Sequence, residues 1–155
     1  MKNTVFAAAL ASMLMFPTAP GFAAGNAMDP LETIATAMNS IPDVIFFKDM
    51  DGIYRGGNSA WGALVGKNVA DLVGKSDFDL FPAEMAKGFA ANDKAMLATG
   101  KARRNNEWLV YPDGRKVYVE TLKTPWLDRA GKVVGLLGVC HEIASPDASK
   151  PGAGK

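Results

Sequence analysis

The sequence predicts an α+β domain, a single five-stranded antiparallel sheet with helices on one face. Three observations carry this. Glu107–Ile143 reads as three successive strands, Glu107–Tyr111, Lys116–Pro125 and Lys132–Ile143, rich in β-branched and aromatic residues. Their joints are Pro112-Asp113-Gly114 and Asp128-Arg129-Ala130-Gly131, both with turn chemistry. Upstream, Asp43–Lys48 and Ile53–Gly57 flank the turn Asp49-Met50-Asp51-Gly52 and form a hairpin. Between the hairpin and the three strands, residues 58–99 carry mainly helical patterns, so those helices must share one face of the sheet. The space they enclose with it is the natural place for a cavity.

In chain order, Lys2 followed by the apolar run Thr4–Phe16, then Pro17 and Pro20, reads as a Sec-type secretory signal. Gly21-Phe22-Ala23 and Gly25-Asn26-Ala27 place small residues for cleavage after Ala23 or Ala27, so residues 1–23 are the expected leader. An uncleaved anchor is the other reading, but the run falls short of the roughly 20 residues a membrane span needs. No Arg pair precedes it and no Cys follows it, which speaks against twin-arginine export and a lipid anchor. The expected location is periplasmic or secreted, with no membrane span after cleavage.

Residues 29–40 form the first helix. Asp29 caps it, Pro30 suits its first position, and Glu32 completes a capping box. Leu31, Ile34, Ala35 and Met38 make one apolar stripe. After the hairpin, Asn58 caps a short helix carrying Trp61, Leu64 and Val65 and ended by Gly66. Asn68 starts another turn of helix, with Val69, Leu72 and Val73. Lys75–Phe81 is expected as a loop with Phe78 and Phe81 pointing inward. Ala83–Thr99 is the longest helix, with Met85, Phe89, Met96 and Leu97 as its core stripe and Gly100 beyond its end. Residues 145–155, rich in Pro, Gly, Ala, Ser and Lys, are expected to form a disordered tail.

Composition sets further bounds. The chain has 155 residues, 48% hydrophobic and 21% charged, which suits one globular domain. Losing Lys2 with the leader leaves 16 basic residues, against 16 acidic ones. That balance argues against nucleic acid as a partner, because phosphate contacts want a basic surplus. A single cysteine, Cys140, excludes an internal disulfide.

The stretches IPDVIFFKDMDGIYRGGNSAWGALVG, GKSDFDLFP and TLKTPWLDRAGKVVGLLGVCHEI resemble PAS domains, especially the sensory modules of bacterial histidine kinases and diguanylate cyclases. The resemblance covers residues 41–144. It implies a sheet in spatial order 2-1-5-4-3 and a sensor that holds a small ligand between sheet and helices. It also implies pairing, as a homodimer or with a partner signalling protein, often through the N-terminal helix and the outer sheet face. The chain departs from the pattern in three ways. It stops about a dozen residues after the last strand without an output domain, it reads as exported, and it has Glu142-Ile143-Ala144 where Asp-Ile-Thr commonly leads on. The expectation is thus an exported stand-alone sensor that binds a small ligand and signals through a protein partner. A ligand-free interaction module and a periplasmic ligand carrier are the alternatives.

Likeness to flavin-binding relatives assigns Glu107, Leu109, Val117, Val119, Thr121, Leu136 and Cys140 to the ligand side of the last three strands. Trp61, Leu64, Phe78, Phe81 and Phe89 would face them from the helices. These residues either line a pocket or fill a core. Glu107 either faces solvent at a strand edge or, if it points inward, needs a partner such as Thr121, a water, a cation or a ligand amine. Cys140 and His141 are strand neighbours on opposite faces, so they do not share a metal. No cofactor is assigned. The helices carry no His for haem, there is no Cys-x-x-Cys-His, and no Asn-Cys-Arg motif supports a flavin–thiol adduct. Lys101, Arg103 and Arg104 are either a solvated loop or an anion site. Asp49, Asp51, Asp77 and Asp79 read as turn residues that serve backbone geometry. One His and one Cys on opposite faces make no nucleophile and base, so no enzyme is expected.

Overall fold

The computed structural model describes residues 29–146. The expected leader, and all but the first two residues of the expected tail, lie outside the described residues.

Ten elements follow one another: α1 (Pro30–Asn39), β1 (Val44–Asp49), β2 (Tyr54–Gly57), α2 (Ser59–Val65), α3 (Val69–Leu72), α4 (Asp77–Leu80), α5 (Ala83–Thr99), β3 (Arg103–Val110), β4 (Lys116–Leu127) and β5 (Val133–Glu142). The five strands form one antiparallel sheet in the order β2-β1-β5-β4-β3, as expected. Local chemistry sets the joints. Asp49 Oδ1 accepts the amides of Asp51 and Ile53 at 3.0 Å each and closes the β1–β2 turn. Asp113 and Asp128 do the same for the β3–β4 and β4–β5 turns. Asp29 caps α1 through the amides of Leu31 and Glu32, and Gly66 ends α2 in the left-handed region at φ 73°.

Register assigns the faces. Val44, Phe46 and Lys48 of β1, Leu136, Gly138 and Cys140 of β5, and Val117, Val119, Thr121 and Lys123 of β4 share the inner face. Helix α5 lies over β4 and β5, while α2 covers β1. The core between them includes Val44, Trp61, Leu72, Met96, Val117 and Leu136, all buried. Gly138 has a packing reason. A Cβ there would come within 2.2 Å of the Phe46 ring, so the missing side chain makes room for it.

Four expectations need correction. Residues 77–80 are helical, not loop, because Ser76 and Asp79 cap each other: the Ser76 amide donates to Asp79 Oδ2 at 2.7 Å. That helix turns Phe78 outward, 58% exposed, and Asp77 inward. Arg103 and Arg104 begin β3 instead of lying in a loop, and Arg104 is ion-paired to Glu120 across the β3–β4 ladder. The fourth expectation, that everything upstream of the last three strands covers one face of the sheet, fails for α1. That helix touches α2, none of its residues is buried, and Leu31 and Ile34 are 77% and 58% exposed.

Candidate functional site

On the inner face, the alternation that buries Val117 and Val119 also buries Thr121 and Lys123, and that of Val44 and Phe46 buries Lys48. Two ammonium groups therefore point into the core, with Lys48 1% and Lys123 2% exposed. Buried ions need partners, since stripping one from a buried pair costs about 3–5 kcal/mol. The helices supply them. Lys48 Nζ lies 2.6 Å from Asp77 Oδ2 and 2.7 Å from Asp93 Oδ2, and Lys123 is ion-paired to the other oxygen of Asp93. The Tyr54 hydroxyl donates to Asp77 Oδ1 at 2.8 Å, and its ring lies 4.6 Å from Lys48 Nζ. Burial, then the charge of Asp77, push the Tyr54 hydroxyl well above the ordinary tyrosine range. Two positive and two negative side chains thus form a neutral, hydrogen-bonded wall.

The wall bounds a cavity of about 30 Å³, room for about two waters. Glu107, Leu109, Thr121, Cys140, Trp61 and Phe81 line it, and so do Leu64 and Phe89. Phe81 and Phe89 meet edge to face, with centroids 5.2 Å apart. Both are half-buried. Glu107 points inward and finds the partner named for it: Thr121 Oγ1 donates to its Oε1 at 2.6 Å. The same hydroxyl sits 3.5 Å from Cys140 Sγ. With one proton to give, it serves the shorter, charged contact. Burial pushes the Cys140 thiol up to about 11, a shift opposed by Thr121 and reinforced by the charge of Glu107. His141 is on the other face, with Nδ1 2.9 Å from Asp43 Oδ1, so it and Cys140 are separated by the sheet.

The remaining assigned positions fall elsewhere. Val117 and Val119 are core residues that do not line the cavity, while Leu136 and Phe78 line an open groove of about 550 Å³ with Met50 and Leu97. Asp77 and Asp93 border that groove as well, so the charged wall separates it from the cavity, which Lys48 and Lys123 line. Asp77 is not a turn residue serving the backbone; Asp79 is.

Sequence reasoning missed Phe46, Lys48, Tyr54, Lys123, Asp77 and Asp93. The signal for the lysines was present, since each extends an inward alternation by one step. Asp93 sits four residues after Phe89 and three before Met96, on the core stripe of α5. Asp77 gave no such signal, because its helix was not foreseen.

The cavity lining has unused donor capacity. Among the described residues, the buried Trp61 indole N–H has no partner, and the Lys123 ammonium makes one hydrogen bond from three protons. No group of three or more His, Cys, Asp and Glu side chains among the described residues is placed to hold a metal. Nor is any described helix long and apolar enough to cross a membrane.

Residues 38–147 match the family model described as PAS fold. The chain is 33% identical over 106 residues, 68% of its length, to the aerobic respiration control sensor protein ArcB of Escherichia coli K12, and spans 14% of that protein. It is similar to VqmA bound to DPO, with TM-score 0.67, 29% identity, and 74% of this chain matched to 57% of that one. The Vibrio cholerae VqmA dimer in the absence of target DNA gives TM-score 0.67 and 29% identity, over 74% of this chain and 52% of that one. The match thus spans a small part of ArcB and about half of each VqmA chain. Sheet order, helix placement and the family match agree: this chain belongs to the PAS fold family of sensory domains.

Proposed function

We propose that this chain is an exported PAS sensor domain that binds a small ligand in the cavity and passes its state to a protein partner. The observation that carries this is the polar lining. Lys123, Trp61 and Glu107 bring hydrogen-bonding groups into a cavity otherwise walled by apolar side chains. A core that served packing alone would be cheaper without them. The likeness to VqmA, which binds DPO, supports the same reading. Export rests on Lys2, the run Thr4–Phe16 and the small residues before position 24.

Ligand state has a physical route out of the cavity. Asn58 is fully buried; its Oδ1 accepts the amides of Ile45 and Trp61, and its Nδ2 donates to the carbonyls of Met38, Ile41 and Asp43. One side chain thus ties the cavity wall at Trp61 to the end of α1. Since about 30 Å³ holds only waters, a larger ligand must part the half-buried Phe81 and Phe89. It shifts the equilibrium only by its preference for the parted state. The apolar stripe of α1 is the surface on which a second copy or a partner protein would dock.

Native mass spectrometry of the protein purified from cells expressing the full sequence tests this. The expected result is a chain beginning after residue 23 or 27 that carries a small organic molecule, released on unfolding. A full-length chain without any bound molecule, unchanged by incubation with cell extract, would refute both export and binding.

A further inference from the structure

Resting on the reading of α1 as a docking surface, we infer what receives it: the apolar stripe of α1 lies in the open groove between α4, α5 and the β1–β2 turn of a second copy, and the two copies exchange helices about a twofold axis. Both halves of the contact are present on one chain. Helix α1 offers Leu31 and Ile34, 77% and 58% exposed. The groove, about 550 Å³, offers Phe78 and Met50, 58% and 53% exposed, while the small Ala90 and Ala98 of α5 leave room for entering side chains. Phe78 stands there because its neighbour is needed elsewhere. The ion pair with Lys48 turns Asp77 inward, so the next residue of that short helix faces out.

The helix does not fill the groove of its own chain. Asn39 Oδ1 accepts the Ser59 amide at 2.8 Å, and Asn58 Nδ2 holds the carbonyls of Met38, Ile41 and Asp43. These bonds brace the end of α1 beside the first residue of β1. The groove begins at the last, Asp49, about 17 Å along the strand. The exposure of all four side chains shows that neither surface covers the other within one chain. One ten-residue helix, about 15 Å long, covers too little for a stable interface, which takes about 800 Å² from each partner. Exchange makes each partner give both a helix and a groove.

Charge selects the same pairing. Asp77 and Asp93 in the groove wall are taken by Lys48 and Lys123, and Asp49 by Arg55. That leaves Lys94 on the α5 wall and Asp51 on the turn. Lys94 is four residues after Ala90 and three before Leu97, on the groove side of α5. Helix α1 has an acidic first turn and no basic residue, and Glu32 flanks its stripe beside Leu31. Neither Glu32 nor Lys94 has an ion-pair partner among the described residues. Docking with Glu32 against Lys94 satisfies both and keeps the acidic turn of α1 away from Asp51.

The test is sedimentation, over a concentration series, of the protein purified from cells expressing the full sequence. The parent should dimerise. Phe78→Ser with Met50→Ser should be monomeric and melt close to the parent, because both side chains are exposed. Glu32→Lys or Lys94→Glu alone should weaken the dimer about tenfold, since each dimer holds the pair twice, and the two together should restore it. A double charge variant as weak as either single one shows that Glu32 and Lys94 do not meet and overturns the docking. A dimer that survives the groove substitutions but is lost in Leu31→Glu with Ile34→Glu overturns the groove and leaves α1 as a docking surface. A dimer that survives both overturns the two together. A parent that is monomeric at every concentration excludes a second copy as the occupant, and native mass spectrometry then decides the sensor reading separately.

Discussion

Cys140 shows how burial outweighs the other influences on a thiol's acidity. Its thiol is held at about 11 against 9.0 for an unperturbed cysteine, with desolvation the largest cause. A raised folded value means that the unfolded chain gives up its proton first. The contribution to stability is therefore complete below about pH 9 and lost as pH climbs through about 11. Two units correspond to about 2–3 kcal/mol. Denaturant unfolding should find Cys140→Ser with a shallower loss of stability than the parent over that window. Cys140 is only the last of the causes that raise Tyr54, behind burial and the charges of Asp77 and Asp93, so most of the difference between the two profiles belongs to the thiol; parallel profiles would refute the assignment. The same scale shows what could be read without coordinates. The alternation Val117, Val119, Thr121 was legible, and Lys123 is simply its next member. Charge discouraged placing a lysine inward, because isolated buried ions are costly. Its partner Asp93 lies 30 residues away, on an element whose facing was fixed only by packing.

At the scale of elements, Asn58 does more than cap α2. Five backbone groups on β1, α2 and the segment that leaves α1 meet its one side chain. Asn58→Ala leaves all of them to find other partners in a buried place, at about 1–3 kcal/mol for each that fails. Denaturation should show a loss of at least ~3 kcal/mol, larger than the ~1 kcal/mol of an ordinary cap. A loss no larger than that would reduce Asn58 to a cap. Its capping role was visible in the sequence, whereas its three amide contacts to residues 38–43 were not, because they join segments that only the folded chain brings together. Element boundaries followed the same division. Helix α5 and the turns agree with expectation where Gly, Pro and Asp punctuate the chain, and α4 was missed because Asp-Phe-Asp-Leu is too short to show a period.

For the whole molecule, the question is which surface joins another protein. Two apolar surfaces compete. The outer sheet face carries Ile45, Phe47, Leu122, Trp126, Leu137 and Val139, and Phe47 and Trp126 already cover each other, with centroids 5.5 Å apart. On α1, Leu31 and Ile34 have no such cover. Most of these sheet residues are half-buried and Trp126 is 39% exposed, against 77% for Leu31 and 58% for Ile34, so the helix stripe is where added burial yields most per residue, at about 25 cal/mol per Å² of apolar surface. The double substitution Leu31→Glu and Ile34→Glu should then leave thermal unfolding of the monomer nearly unchanged, within about 0.5 kcal/mol per site, because neither side chain is buried. In sedimentation the parent should run as a dimer and the variant as a monomer. A parent that stays monomeric throughout would leave α1 to a different protein. A variant that still dimerises would move the interface to the sheet. Either outcome would also redirect the route from Trp61 through Asn58, which matters for signalling only if the end of α1 is where the partner reads it.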